Sequence, residues 1–173
     1  PFLLKTDTDH EGRGVFRVED AEALEGVLAD LERRGRSGEP LLTQELVPGG
    51  ESVLRAVILG RSIRTYWKRA AGRDGIPATV SRGARIDARW RPDLQEEGRA
   101  LALEIQQELG INLAAVDMVF PMEPPTGPRL LEINYAFGRR GLGGSEAFYR
   151  LLFQTVCDWL EENCLDPRRV GLV

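Results

Sequence analysis

Leu113-Ala114-Ala115-Val116-Asp117 and Leu130-Leu131-Glu132-Ile133-Asn134 are the two runs of this 173-residue chain whose reading decides its fold. Each is a short apolar segment closed by oxygen-bearing side chains, and each reads as a strand. Between them, Pro121 to Pro128 is rich in proline with a single glycine and reads as a turn. Glu132 and Asn134 are two residues apart, so side-chain alternation puts them on one face of their strand. If the two strands are antiparallel neighbours, Asp117 faces the same spot. Two carboxylates and an amide carbonyl then converge, a hard-oxygen set of the kind Mg²⁺ prefers. Strands also commonly finish on polar residues, and for Asp117 taken alone that plainer reading stands level with the metal one. Glu132 is harder to set aside, because an unpaired carboxylate between Leu131 and Ile133 is costly in so apolar a stretch. A metal site of this kind usually holds the phosphates of a nucleotide.

Composition narrows the classes. Hydrophobic residues make up 42% and charged residues 29% of the chain, the balance of an ordinary soluble globular protein. The length allows one domain or two small lobes with a core of useful size. A net charge of −4, with basic and acidic side chains interspersed, argues against a general nucleic-acid surface. The basic stretch from Arg61 to Arg69 still calls for an explanation. No apolar stretch approaches the roughly 20 residues that span a bilayer, and none of the chain reads as a secretory signal. The chain starts at Pro1, without an initiator Met and directly in a strand-like run, as expected of a fragment of a longer polypeptide. Cys157 and Cys164, two turns apart on one continuous helix, would stand about 10.5 Å apart along its axis. That exceeds the ~7 Å Cα reach of a disulfide, and neither belongs to a metal-ligand spacing. Reduced, mostly buried thiols in a cytoplasmic protein are expected.

The remaining elements follow from periodicity and punctuation. Pro1 to Lys5 and Val15 to Val18 read as strands around a polar loop, Thr6 to Gly14. Asp20 caps a helix running to about Arg33, with Ala21, Leu24, Leu28 and Leu31 as its apolar stripe. Leu41 to Val47 is a strand, and Pro48-Gly49-Gly50 a turn. Ser52 to Leu59 and Ser62 to Arg69 flank Gly60-Arg61 as a tight hairpin. Ala70 to Trp90 is glycine- and arginine-rich and reads as loop with room for one short strand. A second helix, about Pro92 to Leu109, carries Leu94, Leu101, Ile105 and Leu109 and ends at Gly110. A glycine-rich loop from Gly138 to Gly144 precedes a last helix, about Glu146 to Asn163, bearing Phe148, Leu152, Val156, Trp159 and Leu160. The arrangement is α+β with a mainly antiparallel sheet.

Three further pieces bear chemistry. Lys5 ends a strand and is followed by Asp9-His10-Glu11-Gly12-Arg13-Gly14, where glycines let backbone amides approach an anion. This is a sensible phosphate clamp, although such loops occur in many hairpins and a structural turn is the plainer reading of this piece by itself. Gln44-Glu45-Leu46-Val47 is an extended strand end whose backbone groups can pair with an adenine edge, and Glu51 beyond the turn can accept hydrogen bonds from ribose hydroxyls. By itself this too reads as a solvated turn. His10 is the only histidine, so no Ser-His or Cys-His pair is expected, and it reads as a solvated loop residue.

Taken in order, these pieces resemble the ATP-grasp superfamily and, within it, the RimK-like carboxylate–amine ligases. The likeness covers residues 1 to about 145, and Asp117 with Glu132-Ile133-Asn134 followed by Gly138 is its most specific part. It implies an ATP-grasp fold truncated on its amino-terminal side. Residues 1–45 would be a remnant of the central subdomain and 46–173 the carboxyl-terminal subdomain with the metal site. It implies that Lys5 contacts ATP phosphates and that Gly12, Arg13 and Gly14 cover them. Gln44, Glu45, Leu46 and Val47 would hold adenine, and Glu51 the ribose. Asp117, Glu132 and Asn134 would bind one or two Mg²⁺ or Mn²⁺ ions, with Glu132 bridging. Arg69 matches the family arginine that steadies the transferred phosphoryl group, and Arg82-Gly83 its substrate-side Arg-Gly pair. Without the likeness, Arg69 reads as a surface strand residue. The implied reaction joins a small-molecule or peptide carboxylate to an amino-acid amine through an acyl phosphate, without nucleic acid or membrane. Oligomeric state is left open. Two departures stand out: Val53 occupies the place two residues after the ribose acid where an arginine is frequent, with Arg55 two further on, and Thr79 stands where asparagine is common. A nucleotide-binding module without ligase activity, or an interaction domain that keeps only the fold, are the alternatives.

Overall fold

The computed structural model describes residues 1–7, 14–71, 76–124 and 126–166, with Arg82 described by its backbone alone. The elements are β1 (Phe2–Thr6), β2 (Val15–Val18), α1 (Ala21–Arg33), β3 (Leu41–Glu45), β4 (Val53–Leu59), β5 (Ser62–Arg69), β6 (Arg85–Asp87), α2 (Pro92–Leu109), β7 (Leu113–Val119), β8 (Arg129–Asn134) and α3 (Ser145–Glu162). Short 3₁₀ turns occupy Val80–Arg82 and Arg140–Leu142. The chain divides into two compact units, one of Pro1–Val53, Lys68–Arg85 and Val119–Gly127, the other of Leu54–Trp67, Ile86–Met118 and Pro128–Val173.

The first unit is built on a three-stranded sheet, β2-β1-β3, antiparallel throughout. β1 lies centrally and is the most buried of the three strands. Leu3 and Leu4 are buried, as are Val18 of β2 and Leu31 of α1. Asp20 caps α1 as expected, its Oδ1 accepting the Ala23 amide at 2.9 Å, which satisfies one of the orphan N–H groups of the first turn. The apolar stripe is displaced by a residue from the expected one. Val27 is half-buried while Leu28 stays exposed, because the face is centred on Leu24 and Leu31. β3 stops at Glu45, two residues earlier than the apolar pattern suggests, since Phe2↔Glu45 is the last pair β1 offers. Gly49 in the following turn has φ of +81° and lies against Met122, so a side chain there would meet both backbone strain and a clash.

The second unit carries the five-stranded sheet β6-β5-β4-β7-β8. Alternation sorts its residues onto two faces. Ala56, Ile58, Ala114, Val116 and Met118 form one core with Ile63, Ala102 and Ile111, and Leu101, Ile105 and Ile133 pack against it. Val57, Leu59, Tyr66 and Ala115 form the other with Phe148, joined by Phe137, Leu142, Leu151 and Leu152. Leu101 and Ile105 of the expected α2 stripe do pack on the first of these cores, but the helix's fully buried residues are others. They are Gln95, Gly98 and Ala102, and Leu109 is 63% exposed. Small residues let the helix lie close to the sheet, and a Cβ on Gly98 would run into Leu54. Gln95 is tolerated inside because its amide donates to the carbonyls of Ala88 and Trp90 and its Oε1 accepts from Thr65.

Along α3, Phe148 and Leu160 are buried, whereas Trp159 is exposed. The helix ends at Glu162, so Cys164 lies beyond it in a left-handed conformation (φ 57°). Both cysteines are free, but Cys157 is half-buried and Cys164 exposed, which corrects the expectation of two mostly buried thiols on one helix. Among the described residues, no helix is long and apolar enough to cross a membrane.

Candidate functional site

The second unit brings Asp117, Glu132 and Asn134, the three expected oxygen donors, to one side of its sheet. Ile133 packs on the core of Val116 and Met118, so its neighbours Glu132 and Asn134 turn to the opposite face. Asp117, between Val116 and Met118, turns to that face too. β7 and β8 are adjacent in the sheet. The Asn134 Nδ2 donates to Glu132 Oε1 at 3.0 Å, leaving the amide oxygen of Asn134 and the second carboxylate oxygen of Glu132 free of that bond. Glu132 itself is exposed, because β8 is the last strand of the sheet. The expected cost of a buried, unpaired carboxylate therefore does not arise.

Asp117 is the buried acid instead. It is fully shielded from solvent and sits directly opposite Arg55 in the β4–β7 register. The guanidinium grips it with two parallel bonds, Nε to Oδ1 and Nη2 to Oδ2, both 2.7 Å. This is the strong fork-on-fork geometry of arginine and carboxylate. Burial disfavours the Arg55 charge, but the pair with Asp117 and the nearby Tyr66 outweigh it and hold the guanidinium above its usual range. Tyr66 is also buried, and burial pushes its hydroxyl up, with Arg55 partly offsetting that push. Gly141, in the 3₁₀ turn after β8, lies so close to the Tyr66 ring that a Cβ there would overlap it.

Tyr66 escaped the sequence reading, and Arg55 entered it only as the arginine nearest the ribose acid, not as the partner of Asp117. A signal existed: Arg55 and Asp117 are each a lone charge inside an otherwise apolar strand, and two such charges of opposite sign are natural partners.

The remaining candidates belong to the first unit. Lys5 is half-buried on β1, paired in register with Val15 and Leu42. The Gly14 carbonyl accepts the Thr6 amide at 2.9 Å, while Gly12 and Arg13, with His10, lie outside the described residues. Gln44 and Glu45 pair with Leu3 and Phe2 on the last strand of their sheet, and Leu46 and Val47 continue beyond the strand. Glu51 is half-buried and its carbonyl accepts the Ala78 amide at 2.8 Å. Arg69 is exposed at the end of β5. Arg82 closes the 3₁₀ turn before Gly83, whose φ of 86° needs glycine, and its side chain lies outside the described residues.

Comparison with known proteins shows where this arrangement belongs. No family model matches the chain. A probable alpha-L-glutamate ligase of Parasynechococcus marenigrum (strain WH8102) is 30% identical over 144 residues, 82% of this chain and 29% of the relative. A phosphoribosylamine–glycine ligase of Caulobacter vibrioides is 30% identical over 155 residues, 80% of this chain and 35% of the relative. Among solved structures, a RimK domain ATP-grasp protein from Sphaerobacter thermophilus superposes with a TM-score of 0.58 at 25% identity, over 88% of this chain and 51% of that one. The chain belongs to the ATP-grasp superfamily and is RimK-like. The α+β ATP-grasp fold expected from Lys5, the hinge, Asp117 and Glu132-Ile133-Asn134 is thereby borne out. This ATP-grasp chain spans between 29% and 53% of the length of the curated relatives it matches first.

Proposed function

We propose that the protein is an ATP- and Mg²⁺-dependent ligase that joins a small-molecule or peptide carboxylate to an amino-acid amine. The observation that carries this reading is the shared face of Asp117, Glu132 and Asn134 on a chain whose relatives are named as ligases. Three hard-oxygen donors suit Mg²⁺ or Mn²⁺, one or two ions. Glu132 and Asn134 offer exposed or half-exposed oxygens to it, and Asp117 a carboxylate already gripped by Arg55. When bound, the ion neutralises phosphate charge.

The residues of the chain would then divide the work. Lys5 contacts the phosphates, with Gly12, Arg13 and Gly14 over them. Gln44, Glu45, Leu46 and Val47 hold adenine along the last strand of their sheet, where backbone groups are available, and Glu51 accepts from the ribose. The carboxylate oxygen of the substrate attacks the γ-phosphorus, the bond to the β-bridging oxygen breaks, and ADP leaves. The amine then attacks the acyl carbon and expels phosphate, losing a proton as the amide forms. Arg69 and Arg82 supply positive charge to the phosphoryl group and the substrate carboxylate, which counts most in the transition state. Neither nucleic acid nor membrane takes part. A cytoplasmic setting belongs to the same proposal and is supported by the two free cysteines.

Product analysis of the protein at its natural length tests this. ADP and phosphate should appear when a carboxylate and an amine are both supplied, and only slowly with the carboxylate alone. Arg69→Ala should lower kcat far more than it weakens ATP binding. Release of AMP and pyrophosphate would point to adenylate chemistry and overturn the proposal.

A further inference from the structure

We propose that Arg55 is a built-in cation that competes with a divalent ion for Asp117, and so sets how tightly the Glu132–Asn134 face takes that ion. The inference rests on the metal reading above and deepens it. Every step lies within one compact unit.

The carboxylate of Asp117 has about four lone-pair sites. Arg55 occupies one on each oxygen at 2.7 Å, and the Asp117 side chain is only 1% exposed. An ion reaching Asp117 must therefore lie beside a guanidinium or dislodge it. Neither escape is easy. A guanidinium does not shed its proton in proteins, so the repulsion is not relieved by neutralisation. Nor is swinging away open to it, because the fork is 12% exposed and stands against buried Tyr66, whose ring is in turn packed on Gly141.

Charge leads to the same conclusion. Asp117 and Glu132 bring two negative charges to this face, and Arg55 cancels one of them. The exposed pair of Glu132 and Asn134, already joined at 3.0 Å, is then the primary seat for one ion, with water completing its shell. Asp117 contributes as a third ligand only to the extent that Arg55 yields. This makes Arg55 a tuning residue for the site, placed by register opposite Asp117.

The test uses Mn²⁺ as probe, titrated into this chain and followed by electron paramagnetic resonance of the free ion. Arg55→Met should bind Mn²⁺ about tenfold more tightly than the parent sequence, and its melting temperature should rise more on Mn²⁺ addition. Glu132→Gln should abolish binding in both backgrounds. If Arg55→Met does not fold, Arg55→Lys decides the matter. It keeps the charge but loses the fork, and tighter binding by about threefold is expected. Equal Mn²⁺ affinity in the parent sequence and the readable variant overturns the role of Arg55 while leaving the metal reading intact. Absence of Mn²⁺ binding in every variant overturns the metal reading, and this inference with it.

Discussion

Replacing Arg55 by Met strands the Asp117 carboxylate in a fully buried position. The size of the effect follows from the geometry. Two 2.7 Å bonds disappear at once, and the acid that loses them is 1% exposed, so water cannot replace them. Removing one partner of such a pair costs about 3–5 kcal/mol. At about 2–4 °C per kcal/mol for a protein of this size, the melting temperature should fall by roughly 6–20 °C. Tryptophan fluorescence is a suitable reporter, because Trp67, Trp90 and Trp159 all belong to the unit that holds the pair, and Trp67 and Trp90 pack edge to face at 4.9 Å. The double replacement Arg55→Met with Asp117→Leu should recover most of the loss, since an apolar pair of similar volume often matches or exceeds a buried ion pair. A single variant that melts within about 2 °C of the parent, or a double variant no better than the single one, would refute the view that this pair is a buried, mutually dependent unit.

Two further outcomes follow from the same face of the sheet. Gly141→Ala should destabilise the chain by about 1–3 kcal/mol, because its Cβ overlaps the buried Tyr66 ring; a neutral effect in a urea titration would show that the turn after β8 moves freely. Burial raises the folded-state pKa of Tyr66 above its ordinary value. The folded chain thus keeps this proton where the unfolded chain loses it, so the contribution is intact below about pH 10 and is lost as pH rises through the folded value. Tyr66→Phe should flatten the alkaline fall in stability, and unchanged slopes would contradict the assignment.

Local features of the fold were legible in the sequence. Asp20 as a cap, Gly60 at the β4–β5 turn and Gly110 at the end of α2 are punctuation with a mechanism, and each stands where expected. The apolar runs of β7 and β8 fixed those strands, and alternation fixed the side on which Glu132 and Asn134 lie. What depended on packing was harder to read. On α1 Val27 is covered in place of Leu28, and on α2 the fully buried residues are Gln95, Gly98 and Ala102 beside the expected Leu101 and Ile105, because how closely that helix lies is set by what the sheet admits, here Leu54 against Gly98. The Arg55–Asp117 pair joins residues 62 apart in sequence, and no local pattern states the register that places them opposite. Glu132 proved exposed for a related reason: its strand is the last in the sheet order, a property of the whole sheet that no single strand reveals.

The measurement closest to the centre of this account is calorimetry of a non-hydrolysable ATP analogue with the protein at its natural length. It should be done with and without Mg²⁺, and with Glu132→Gln beside the parent sequence. Glu132 is exposed, so the variant should melt as the parent does and any loss can be read as loss of function. The account predicts analogue binding that Mg²⁺ strengthens in the parent and no longer strengthens in Glu132→Gln. Equal, Mg²⁺-indifferent binding in both, or no binding by a folded parent, would contradict it.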